Sequence, residues 1–263
     1  MKSSLIVAFS CLAVLAVAAE GVSKLTPEER QARKEKVAAI QMRKNGGMVR
    51  KAGSMKGRIA IVNAQGKVEA GEFEKVLEPL RKTLRMDIAL VKGEAVNLAT
   101  AADELKRHQA NMALFIVEDN SIPGTILVMP ENAWGILNIA PLAAGVDGEK
   151  LCTRVLKETV RAFAYVAGAA NSQFSSSIMG PVANLRDLDG IDSMRLPPDM
   201  QARIFNYAEG FGVRPYVQTT YLNACREGWA PAPTNEFQKA IWDKVHAPPK
   251  TPLKIEFDPK KGK

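Results

Sequence analysis

Arg161-Ala-Phe-Ala-Tyr165-Val-Ala-Gly168-Ala-Ala-Asn171-Ser-Gln-Phe-Ser-Ser-Ser-Ile-Met179 is the stretch whose reading decides the fold. It closes the longest helical run of the chain, expected from Gly148 to Ala167, and Gly168 is the residue that can turn left-handed and let the chain leave the helix axis. Arg161 and Tyr165 lie four apart, so they share one helix face and point toward whatever Asn171 and Met179 build beyond the turn. A guanidinium stays protonated and offers no lone pair to a metal, and Ala162 beside it brings no carboxylate to activate water. Arg161 therefore reads either as an anchor for an anion such as a peptide carboxylate or, more simply, as a surface arginine paired with Glu158 one turn earlier.

Upstream of this stretch, strands and helices alternate. Arg58-Ile-Ala-Ile-Val-Asn-Ala is a short β-branched run of the kind that forms a buried strand. A helix is expected over 71–85, with Phe73, Val76, Leu77, Leu80 and Leu84 on one face. Then come a strand at 88–91, a helix at 99–109, a strand at 112–117 and two strands at 126–129 and 136–139. The last two are joined closely enough for one to run antiparallel at an edge, and Thr125 to Met129 is the candidate edge. This alternation points to crossover units and a largely parallel sheet. Downstream, helices are expected from Pro197 to Glu209, over 217–227 and over 235–246.

The 161–179 stretch resembles the metal-binding segment of the archaemetzincins, whose motif is HEXXHXXGXXHCXXXXCXM, followed seventeen residues later by CXXC. The framework positions match, with the motif glycine on Gly168 and the motif methionine on Met179. The chemical positions depart from it. Arg161, Tyr165 and Asn171 stand where the family has its zinc histidines, Ala162 where it has the general base, and Ser172, Ser177, Pro197 and Met200 where it has the cysteines of a second zinc site. The resemblance implies a metzincin-like α/β fold: a mixed, mostly parallel twisted sheet, a long motif helix and a helical C-terminal part over residues 58–246. The departures from the motif imply no zinc and no other cofactor, and the resemblance makes Arg161, Tyr165 and Asn171 the lining of a former metal cleft, with Gly168 and Met179 as framework.

Composition sets the rest. A chain of 263 residues, 46% of them hydrophobic, can bury a core without disulfides or metals. Residues 1–19 open with Lys2, run apolar from Leu5 to Ala18 and close on Val17-Ala18-Ala19, the pattern of a cleaved secretory signal. The apolar run is shorter than the roughly 20 residues of a membrane-spanning helix. Export is the expected localisation. The net charge of +8 is concentrated in residues 20–57, an expected basic helical arm (24–40) and a glycine-containing linker (44–57). Such an arm suits an anionic surface, although a solvated basic segment is the plainer reading, and without interleaved aromatics it makes no case for specific nucleic-acid binding. Residues 247–263 read as an extended basic tail. Cys152 and Cys225 can be two free thiols or one bridge. His108 reads as structural or solvated rather than catalytic, on a helix that looks exposed, and Ser175–Ser177 lack a nucleophile elbow.

The expected protein is thus an exported, non-catalytic metzincin-type domain, a pseudo-protease that binds peptide or protein in the former active-site cleft. The alternatives are a hydrolase using another constellation in that cleft, or an envelope-associated protein working through the arm.

Overall fold

The computed structural model describes residues 26–64, 66, 68–94, 96–146 and 148–247. The expected signal segment 1–19, the first residues of the arm and the tail beyond 247 lie outside the described residues. The described residues divide into two compact units: 52–217, and a second made of 26–51 and 218–247. Sequence reading had placed 218–246 with the sheet domain.

β1 (Met48–Arg50) belongs to the smaller unit; in the larger unit a five-stranded sheet is formed by β2 (Ile59–Asn63), β3 (Ile88–Lys92), β4 (Met112–Val117), β5 (Ile126–Met129) and β6 (Trp134–Asn138). Its order is β3-β2-β4-β6-β5. The first four strands are parallel, and β5 closes the sheet antiparallel to β6, pairing Leu127 with Ile136 and Val128 with Gly135. The fold is α/β with a mixed, mostly parallel sheet.

The helices of this unit are α2 (Ala70–Leu84), α3 (Ala101–Arg107), α4 (Gly148–Val166), α5 (Leu185–Asp189) and α6 (Pro198–Gly210). From β2 the chain crosses by α2 to β3 on one side, then by α3 back past β2 to β4. Reversing direction while keeping one crossover hand requires the two helices to lie on opposite sheet faces. The packing shows this. Ile59, Ile61, Leu114 and Ile116 join the core containing Phe73, Leu77 and Phe163, whereas Ala60, Val62, Phe115 and Val117 join a smaller core with Val96 and Ala101. Strands covered on both faces must be apolar at every position, which is why β4 reads Met-Ala-Leu-Phe-Ile-Val without alternation. Gly135 lets α4 approach the sheet closely, since a Cβ there would stand 2.6 Å from Val166.

Asn138, buried at the end of β6, organises the entry to β5. Its Nδ2 donates to the carbonyls of Asp119 (2.8 Å) and Ile122 (3.1 Å), and its Oδ1 accepts from the N–H groups of Asp119 and Ala140, both at 3.1 Å.

In the smaller unit, α1 (Pro27–Asn45) runs five residues beyond its expected end and stops at Gly46, which is left-handed at φ 72°. The expected linker holds a strand, β1 (Met48–Arg50), antiparallel to β7 (Gln218–Thr220). The helix expected over 217–227 is therefore shorter: Thr219 and Thr220 extend into β7, and Thr220 then caps α7 (Tyr221–Arg226). Gln238 of α8 (Glu236–His246) donates to the Gly46 carbonyl at 2.9 Å, which groups the C-terminal helices with the arm. Cys152 and Cys225 are free thiols.

Replacing Asn138 by Ala leaves buried backbone groups of the 119–124 loop without partners. The expected loss is about 1–3 kcal/mol of unfolding free energy, measured by urea denaturation; an unchanged midpoint would show that the loop holds itself.

Candidate functional site

α4 is an apolar helix with a polar stripe. Arg154, Lys157, Glu158 and Arg161 are all buried and, at spacings of three and four, they share the face that Tyr165 continues. Each cation reaches the chain outside α4: the turn at Leu142, the end of α5 or the loop around Met179. Arg154 donates through Nε and Nη2 to the two carboxylate oxygens of Asp189, each at 2.8 Å, and through Nη1 to the Leu142 carbonyl at 3.0 Å. Lys157 Nζ donates to the carbonyls of Leu188 and Asp189, both at 3.0 Å. Arg161 Nη1 donates to the carbonyls of Ile178 (2.7 Å) and Gly180 (2.9 Å), which flank Met179.

The remaining nitrogens of Arg161 are also engaged. Nε stands 3.2 Å from a Glu158 carboxylate oxygen, in an orientation that makes the contact ionic rather than a directed hydrogen bond. Nη2 donates to the Tyr165 hydroxyl at 3.3 Å, and that hydroxyl donates in turn to Asn171 Oδ1. Burial pushes the Glu158 carboxyl above its ordinary value, opposed by the Arg161 charge. Burial likewise raises the Tyr165 phenol, again opposed by Arg161, so it remains a neutral donor.

Arg161, Tyr165 and Asn171 thus come together as one hydrogen-bonded chain running from the interior to the exposed Asn171 amide. Two sequence expectations change. Arg161 is not a surface residue, being 5% exposed, and it is not an open anion anchor, because all three of its nitrogens face partners within the protein. Burial of its partners was invisible in the sequence.

The turn beyond α4 is closely packed. Gly168 has φ 83°, and a Cβ on it would stand 2.4 Å from the Tyr207 ring. Tyr207 also donates its hydroxyl to the Pro130 carbonyl, so α6 ties the Gly168 turn to the residue that follows β5. Met179 is fully buried. Ser172 and Ser177 close the loop on itself: Ser172 N–H donates to the Met179 carbonyl at 2.7 Å, and the two hydroxyls accept from Phe174 N–H and Met179 N–H, each at 3.2 Å. Pro197 precedes α6 as its N-cap, and Met200 is buried in the core.

This donor set does not fit zinc. A guanidinium cannot ligate, the Tyr165 and Asn171 oxygens are bonded to each other, and Ser172, Ser177, Pro197 and Met200 serve the loop and the core. Among the described residues, no group of three His, Cys, Asp or Glu side chains is placed to share an ion. Of the two readings of His108, the structural one fits: its ring is largely buried beside Glu104, at 3.8 Å, and its Nε2 has no hydrogen-bond partner. Sequence reading also passed over Arg154, Lys157, Asp189, Asn138 and Tyr207. The available signal was the run of charges at helical spacing on an otherwise apolar helix.

No protein-family model matches the chain, and no curated protein matches it. Among solved structures it is similar to a zinc-dependent peptidase from Methanocorpusculum labreanum, at 13% identity and a TM-score of 0.44 over 56% of this chain and 99% of that one. It is also similar to archaemetzincin from Methanopyrus kandleri, at 13% identity and a TM-score of 0.46 over 60% of this chain and 98% of that one.

Two outcomes are expected here. Arg161→Ala removes the donor from two buried carbonyls and strands Glu158, so it should cost about 3 kcal/mol or more of stability; an unchanged thermal midpoint would refute the pinning role. Asp189 is held well below the usual carboxylate range, first by the Arg154 hydrogen bonds, with Lys150 also lowering it and burial opposing. A depressed carboxylate contributes stability that is present above its unfolded value and lost as pH falls through the folded one. The melting temperature should therefore fall below about pH 4, and the Asp189→Asn variant, less stable at neutral pH, should show a smaller acid-induced drop.

Proposed function

We propose that this chain is a metal-independent, non-catalytic relative of archaemetzincin-type peptidases that binds extended peptide or protein segments along β5, and that it works after export. The observation that carries the first part is the Arg161 cluster. A guanidinium bonded to both carbonyls beside Met179 occupies the position that the motif resemblance assigns to a metal ligand. No carboxylate accompanies it at Ala162 to activate water, so the site offers neither a Lewis acid nor a general base.

β5 supports the binding role. It is the terminal strand of its sheet and is half-buried throughout. Asn138 N–H donates to the Thr125 carbonyl at 2.7 Å, so by antiparallel alternation Leu127 also bonds across to β6. The N–H and C=O groups of Ile126 and Val128 then face away from β6, positioned to receive a further strand. Tyr207 brings the end of β5 to the Gly168 turn, and the exposed Asn171 amide beyond that turn can both donate to and accept from a peptide backbone. Export rests on the residue pattern of 1–19.

The test is selection from a displayed random peptide library, followed by titration of the selected peptides against wild type and Val128→Pro. Proline removes one outward N–H without touching the ladder to β6. Val128 also packs on the core, so both proteins are compared well below the variant's melting transition, where the expected result is a loss of affinity of about tenfold or more. Equal binding by both proteins would overturn the β5 reading. Elemental analysis of the purified protein should return no stoichiometric zinc; one tightly held zinc per chain together with peptide cleavage would establish an enzyme instead.

A further inference from the structure

α1 is a helix without a core. None of its residues is buried, so little of the apolar packing that holds most protein helices acts along it, although it meets α8 of the same unit. It is defined instead from its ends. Thr26 and Glu29 form a reciprocal capping box, Pro27 opens the first turn, Glu28 and Glu29 sit at the N-terminus, Arg43 and Lys44 at the C-terminus, and Gly46 ends it with its N–H on the Met42 carbonyl. Such local specification at both ends favours the helical conformation of a largely exposed rod.

The surface of that rod is sorted. Arg30, Arg33, Val37, Ile40 and Lys44 follow spacings of three and four and form one stripe about 21 Å long at 1.5 Å per residue. Its centre is aliphatic and open, with Val37 47% and Ile40 56% exposed, and both its ends are cationic. Lys36 flanks it. Glu28 and Glu35, seven apart, lie on the opposite face with Gln31, which donates to Glu35 at 2.8 Å; Glu29 is engaged in the capping box.

We infer that the Arg30–Lys44 stripe of α1 is a docking surface for an anionic phospholipid bilayer, lying in the interface with Val37 and Ile40 toward the acyl chains and the arginines and lysines among the headgroups. The charge sorting requires an anionic partner, and the aliphatic centre requires one with an apolar layer beneath its charge, which a bilayer supplies. A nucleic acid would meet the cations but give Val37 and Ile40 nothing, and the helix has no aromatic for base stacking. A second copy of the helix would oppose cation to cation. The inference concerns a unit separate from β5 and stands independently of the peptide reading.

The test is co-sedimentation of the full chain with vesicles of phosphatidylcholine alone or mixed with phosphatidylglycerol, for wild type, Arg30→Glu/Arg33→Glu/Lys44→Glu and Val37→Ser/Ile40→Ser. Segments outside the stripe are common to all three proteins, so differences isolate the stripe. Wild type should bind the anionic vesicles at least about tenfold better than the neutral ones, and both variants should lose most of that binding while keeping the wild-type melting temperature. Equal binding to both vesicle types would overturn the inference. So would a serine variant that binds as wild type does, stronger capture by duplex DNA than by vesicles, or vesicle-free self-association abolished by the serine pair.

Discussion

Charge-assisted hydrogen bonds from one face of α4 to the backbone beyond it are the interaction on which the larger unit depends. Between Gly168 and Pro198 the chain forms only the short helix α5, yet Ile178, Met179, Gly180, Leu188 and Ile191 are buried. Buried carbonyls outside regular structure must find donors. Arg161 supplies them at Ile178 and Gly180, Lys157 serves the open carbonyls of Leu188 and Asp189 in the last turn of α5, and Arg154 binds the Asp189 side chain and the Leu142 carbonyl. Each cation is itself made tolerable in the interior by these acceptors and by Asp189 or Glu158, so helix and loop are mutually conditional.

What could be read from the sequence follows from the range of the interactions involved. β4 was legible to the residue because a strand buried on both faces has to be apolar throughout, and α2 because its five buried residues recur at helical spacing. The antiparallel placement of β5 followed from the short connection to β6. Only residues 218–220 were misread, since the expected helix does form over Tyr221–Arg226; Gln-Thr-Thr extends by pairing with Met48–Arg50, far away in the chain. The site was legible in its spacing and illegible in its contacts. Arg161, Tyr165 and Asn171 could be placed on one side of the turn, but the acceptors of Arg161 are main-chain carbonyls, which every residue carries and no side-chain pattern marks.

β5 also shows how an open strand can persist without indiscriminate pairing. It is four residues long and passes directly into a 3-10 turn, leaving little edge for another chain to extend along. Asn138 holds the loop before it and Tyr207 the turn after it, so the strand is fixed from both ends. A slip of one residue would exchange Ile126 and Val128, which pack on the larger core, with Leu127 and Met129, which pack on the smaller one.

The Arg161 joint differs from a metal joint in its thermodynamics. A bound ion stabilises a fold by mass action, in proportion to the logarithm of its free concentration over its dissociation constant, so that stability belongs partly to the surroundings. The guanidinium is carried on the same chain as the carbonyls it binds at 2.7 and 2.9 Å. Its contribution is unimolecular: it does not dilute, it cannot be drawn off by a competing chelator, and it forms once for every chain that folds.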